Sequence, residues 1–273
     1  IHFESHFLRM ALERVKKARK AFAENDFAAS KEAHSHEAFD SDHHNGGAGE
    51  YVGDMVYGAL DGIVTTFAVV AGAAGAGLAP GIILVLGFAN LFADGLSMAV
   101  GNFLSVKSQQ SYYLAERKRE EFEVEKFPEG EREEIRRIYS KKGFAGKNLE
   151  ALVALITSKK TVWVDTMMSE ELGLMPDPKN PVKAGLYTYV AFIVAGFLPL
   201  LIFVISLFNP LPASILFPAA FILTFATIFT VGSLRSLVIA KNWFTAGLEM
   251  LLIGGLTAIV SYGIGLVLGG LVL

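Results

Sequence analysis

Five apolar runs of membrane-crossing length decide what kind of fold is open to this chain. They lie at about Met55–Ala79, Gly81–Lys107, Ala184–Phe208, Ala213–Leu234 and Trp243–Val272. The 24 lysines and arginines stay outside the run interiors. Seven precede residue 32, fifteen fall from Lys107 to Lys183, and Arg235 and Lys241 complete the set. A soluble helix alternates charged and apolar faces, whereas about 20 consecutive apolar residues cross a bilayer. The chain therefore reads as an all-α polytopic membrane protein. It has five transmembrane helices and a three-helix insert between the second and third.

Four regions follow. Residues 1–50 hold an N-terminal helix and a His-containing linker. Residues 51–107 carry spans one and two, 108–180 the charged insert, and 181–273 spans three to five. Over residues 1–27, Phe7, Leu8, Ala11, Leu12 and Val15 oppose Arg9, Lys16, Lys17, Arg19 and Lys20. Such a basic amphipathic helix either lies on an anionic membrane surface or packs as a solvated helix. The linker holds His34, His36, His43 and His44 beside Asp40 and Asp42. It reads as weak metal capture or as plain linker. The chain opens on Ile1 rather than Met, and residues 1–30 lack the apolar core of a signal peptide. There is no cysteine, which excludes disulfides and thiolate metal sites.

The insert reads as three helices. ERKREEFEVEKF has strong helix propensity, EREEIRRIYSKKG ends at Gly143, and the third runs from Lys147 to Gly173. The N-terminal segment, the stretch from Lys107 to Lys183 that holds the insert, and the Arg235–Asn242 loop hold every Lys and Arg. The turns at Ala79–Gly81 and Asn209–Pro212, and the C-terminus, hold none. With five spans these groups fall on opposite faces. The positive-inside rule places the N-terminus and insert in the cytosol and the C-terminus across the membrane.

Chemistry concentrates at acids in unexpected places. Asp61 lies within the first span and Asp94 within the second, with no Lys or Arg near either along the chain. A carboxylate there costs about 2.5–3.5 kcal/mol on insertion scales. A proton, a water path or a bound cation compensates. In the second span Asn90, Asp94, Met98 and Asn102 recur every fourth residue, on one face. Amide and carboxylate oxygens suit most divalent ions, and a thioether favours softer ones. Met98 reads equally well as packing. Glu249 in the fifth span is either a further site or an acid near the interface. In the insert, Glu116, Glu120 and Glu123, then Glu131 and Glu134, put carboxylates on single helical faces. They form either a cation site or a solvated charged face. Carboxylates with ordinary pKa values would release metal below about pH 5. Met167, Met168, Glu170 and Glu171 add thioethers and acids.

The motifs DGIVTTFA from Asp61, GFANLFADGLSMAVGNFLS, ERKREEFEVEKFPEGEREEI and VDTMMSEELGL resemble the vacuolar iron transporter family, in the same order. The resemblance covers about residues 50–273. It implies a homodimer in the lipid bilayer, in a vacuolar or bacterial plasma membrane. It implies export of Fe²⁺ from the cytosol in exchange for protons, with Zn²⁺, Mn²⁺ or Co²⁺ as alternative bound ions. Asp61 and Met98 match the family's transport path. Glu120, Glu123, Glu131, Glu134, Met167, Met168 and Glu171 match its cytosolic metal-binding domain. Asn90 departs from relatives that carry Glu there, and Asp94 is read as taking over that role. The expected partners are metal ions, protons and a second copy, and no nucleic acid. The reading is of a transporter, not an enzyme. Its alternatives are a manganese or broad divalent exporter and a metal sensor without transport. A membrane-bound di-iron oxidase is a third, but such sites use Glu-x-x-His and the insert has no His.

Overall fold

A computed structural model describes residues 21, 22, 24–32, 48–239 and 242–272. The histidine tract, and nearly all of the basic helix expected over residues 1–27, lie outside them. A six-residue helix, α1 (Phe27–Glu32), stands where linker was expected. Asp26 Oδ1 starts it by accepting the Ala28 N–H at 3.0 Å.

Among the described residues, five helical segments are long and apolar enough to cross a membrane. They are α2 (Val52–Gly75), α3 (Pro80–Lys126), α7 (Pro181–Phe197) with α8 (Leu201–Phe208), α9 (Ala213–Ile239) and α10 (Trp243–Val272). Between the second and third span lie α4 (Pro128–Lys141), α5 (Gly146–Thr157) and α6 (Lys160–Thr166). The chain divides into two compact units, residues 1–99 with 186–273, and residues 100–185.

In the membrane unit, α2 is gripped by two neighbours at backbone distance. A methyl group on Gly62 would meet the Phe192 carbonyl oxygen of α7 at 2.4 Å, and one on Gly265 of α10 would meet the Gly72 oxygen at 2.0 Å. Lipid offers no hydrophobic drive for helix association, so close packing of small residues supplies it. Around these contacts Phe67 lies edge-on to Phe221 and Phe225 of α9. On α3, Leu84 and Leu91 pack with Phe192, Leu200 and Phe203 of the third span. The third span is not one helix, because Leu198–Leu200 form a 3₁₀ turn at Pro199, whose ring lacks the N–H a regular helix needs. The fourth runs on to Ile239, through Arg235, where a loop was expected. Nothing from Arg235 to Ile239 is Gly or Pro, so the helix has no cause to stop at the first charge.

Gly265→Leu should lose the folded protein, at a cost of at least about 3 kcal/mol. Gly263→Leu, two residues earlier with nothing within 4 Å of its added methyl, should fold normally. Monodisperse yield in detergent reads both, and equal yields would mean the α2–α10 contact is not needed.

The insert unit packs around Val124, Ile135, Leu149, Val153, Ile156, Trp163, Val164, Met167 and Met168. Its first stretch is the continuation of α3 past Lys107 to Lys126. The stretch expected as one helix from Lys147 to Gly173 is divided at Ser158-Lys159 into α5 and α6. Ser158 there turns its hydroxyl onto the Leu155 carbonyl at 2.6 Å, a local bond that competes with helix continuation. After α6, Met167–Glu171 form a π-turn, in which the Leu172 N–H reaches the Met167 oxygen at 3.2 Å. Gln110 Nε2 donates to the carbonyls of Asp177 and Lys179 at 3.0 and 2.6 Å, tying the exit segment back to α3.

Candidate metal sites

Within the membrane unit, α2 and α3 bring Asp61 and Asp94 within electrostatic reach of each other. Both are partly buried. Among the described residues no Lys or Arg pairs with either. Thr65 donates its hydroxyl to the Asp61 carbonyl at 2.8 Å, so the helix backbone there is satisfied locally. Asn90, Asp94 and Met98 are all half-buried, between the packed residues Leu91 and Gly95 and the exposed Phe92, Leu96 and Val100. The polar stripe thus runs along the border of the packed face. The Asn90 Nδ2 is buried without a hydrogen-bond partner. Met98 rests against the apolar cluster around Leu91 and Phe192, which fixes its thioether. Glu249 has a different setting. It is 43% exposed and faces Arg235 of α9 at 3.9 Å, an ion pair between the fourth and fifth spans.

One acid in this unit carried no sequence signal beyond its spacing. Asp54, in the first turn of α2, is 9% exposed. Thr188 of the third span donates to its carbonyl at 3.4 Å. Its distance of seven residues from Asp61 puts both on one helical face.

In the insert, the two ExxE pairs meet. One oxygen each from Glu120, Glu123 and Glu131 lie within 4.8 Å of one another. Oxygens on opposite sides of a divalent ion are about 4–4.4 Å apart, twice a bond of about 2.0–2.2 Å. Small side-chain rotations therefore bring the three into coordination range, and the donor set fits a divalent cation. Glu120 is 1% exposed and Glu131 6%. Burial, opposed by Arg119 and reinforced by Glu171, Glu123 and Glu134, pushes the Glu120 carboxyl up to about 7. Burial, then Glu134, Glu120, Glu123 and Glu171, pushes Glu131 up to about 7 as well. Glu171 lies exposed at the rim of the group. Partial desolvation of its carboxyl and the charge of Glu134 raise it too. Release below about pH 5, expected from ordinary carboxylates, is thus moved toward neutrality by burial.

The remaining candidates divide. Glu134 joins the group through its charge. Glu116 stands beside it, bonded to Arg119 at 2.9 Å. Met167 and Met168 are fully buried in the insert's apolar core, where packing accounts for their placement. In the sequence Arg119 is one of many charges in the insert, yet it touches three of these acids.

Known proteins match this chain over most of its length. The profile described as the VIT family matches residues 52–266. A vacuolar iron transporter of Toxoplasma gondii is 36% identical over 91% of this chain and 86% of its own length. One of Plasmodium berghei is 33% identical over 95% of this chain and 98% of its own. Vacuolar iron transporter 1 of Eucalyptus grandis is 31% identical over 79% and 86%.

Proposed function

The chain belongs to the VIT family, and from that premise we propose that it exports Fe²⁺ from the cytosol in exchange for protons. It is a membrane metal-ion transporter and not an enzyme. The observation that carries the finer reading is that Asp61 and Asp94 lie close enough to feel each other's charge. Two carboxylates in a low-dielectric span need positive charge between them. One divalent ion or two protons supply the same charge, so a site that holds either in turn exchanges one for the other. Asn90 adds an amide and no charge, which leaves the balance at two. Met98 offers sulfur, which favours Fe²⁺ over Mn²⁺. The names of the relatives, vacuolar iron transporters, support iron as the cargo.

The polar stripe at the border of the packed face supports a homodimer that closes the path with a second copy. The charge bias of the loops supports a cytosolic N-terminus and insert, with the C-terminus across a vacuolar or bacterial plasma membrane. The insert, residues 108–180, then collects metal through Glu120, Glu123, Glu131, Glu134 and Glu171.

Radiolabelled Fe²⁺ uptake into proteoliposomes tests the reading. Uptake should require a proton gradient directed against it and should acidify the donor side. Uptake indifferent to the gradient would remove proton coupling. Met98→Leu keeps volume and removes sulfur, so it should slow Fe²⁺ several-fold more than Mn²⁺ (about 1–2 kcal/mol of lost soft ligation). Equal losses for both ions would make Met98 a packing residue and favour a broad divalent exporter.

A further inference from the structure

We propose that Arg119 is a tethered cation that competes with divalent metal for the insert's carboxylates, and that Glu116 holds its guanidinium when metal is bound. This rests on reading the cluster as a metal site. Arg119 lies on α3 among three acids. Its Nε is 2.9 Å from Glu116, its Nη1 2.5 Å from Glu123 and its Nη2 2.7 Å from Glu120. The Glu116 and Glu123 contacts are aligned hydrogen bonds. The Glu120 contact is close but misaligned, so neither Glu120 oxygen has a hydrogen-bond partner. A carboxylate buried to 1% exposure and left unbonded calls for a cation that meets it squarely. The guanidinium does not.

Guanidinium and metal want the same lone pairs and repel each other. A divalent ion that takes an oxygen each from Glu120, Glu123 and Glu131 must therefore dislodge Arg119 from the first two. Glu116 is outside that trio and already holds Nε. Rotation about the end of the side chain keeps this bond and gives up the others. The insert thus exchanges an internal cation for an external one. A fork tethered to the same helix acts at high effective concentration. A monovalent ion brings no surplus charge with which to displace it, whereas a divalent ion does. Arg119 in this role sets both affinity and the refusal of K⁺.

The full-length protein in detergent, titrated calorimetrically with Mn²⁺, a hard ion that prefers carboxylate, tests this. Arg119→Met should bind about tenfold more tightly, the loss of one charge-assisted competitor, and K⁺ should begin to compete. Arg137→Gln removes equal charge but only from Glu133, and should stay within about twofold. Glu116→Gln should weaken binding about threefold to fivefold in the native background and change nothing in Arg119→Met. Unchanged or weaker binding by Arg119→Met overturns the proposal. Glu116→Gln acting equally in both backgrounds makes Glu116 an ordinary ligand and overturns its assigned role. Absence of Mn²⁺ binding in both native protein and Arg119→Met overturns the metal-site reading itself.

Discussion

Asp61→Asn should lower Fe²⁺ transport by about 10²–10³-fold while leaving the fold and the insert's metal binding intact. Removing one member of a buried charge constellation typically costs about 3–5 kcal/mol, about 10²–10⁴ in occupancy, and the partial burial of Asp61 puts it at the lower end. The substitution preserves size and hydrogen-bonding shape, so packing of α2 against its neighbours is not disturbed. It leaves one carboxylate, Asp94, to neutralise a divalent ion, and the exchange of two protons for one metal no longer balances. Mn²⁺ calorimetry on the same preparation should show the insert's binding unchanged, which separates a damaged path from a damaged protein. Native transport rates in Asp61→Asn would remove this residue from the mechanism.

Glu120→Gln should do two opposite things at pH 8. It should stabilise the metal-free insert and abolish most of its metal binding. The folded-state pKa of Glu120 is about 7, above its ordinary value of 4.5. The stability it contributes is therefore fully present below about pH 4.5 and lost as pH rises through 7. Glu131 behaves alike. Because the two carboxylates share their repulsion, their ionisation together costs the metal-free fold on the order of a few kcal/mol at pH 8 relative to pH 4. Calorimetric unfolding of chelator-treated protein should show the insert more stable at pH 5.5 than at pH 8, a difference that Glu120→Gln shrinks. Metal reverses the order, because binding needs both carboxylates ionised. Affinity should climb steeply between pH 6 and pH 8. A metal-free insert equally stable at both pH values would mean these carboxylates are not desolvated.

The spans and their acids were legible because length, apolarity and misplaced charge are local properties of the chain. Asp61 and Asp94 stand out against Leu and Ala without knowledge of what packs where. That Gly62 meets Phe192 and Gly72 meets Gly265 is not written in the local sequence, since partners are set by the bundle. The break at Pro199 was hidden inside an otherwise apolar run. In the insert, the helical spacing of Leu149 to Met167 continues across Ser158-Lys159, so periodicity gave no sign of the division there. The ExxE pairs were visible as pairs, but their burial was not, and burial is what moves Glu120 and Glu131 to about pH 7. Arg119 was the least legible of all. Its neighbours Arg117 and Lys118 have the same type of charge, and only the fork's contacts single it out.

The π-turn at Met167–Glu171 carries one residue more than an ordinary helix needs to cover the same path. That surplus phases Glu171 against the helices before it. A chain shorter by one residue here would close the turn into regular helix and swing the following side chains by about 100°. Glu171 would then leave the rim of the acid group, while Glu120 and Glu131, on other helices, stayed in place. The number of carboxylates this insert offers is thus governed by chain length at a single turn. An insertion or deletion can retune its appetite for metal where no substitution has occurred, and a comparison of aligned side chains would pass over the change.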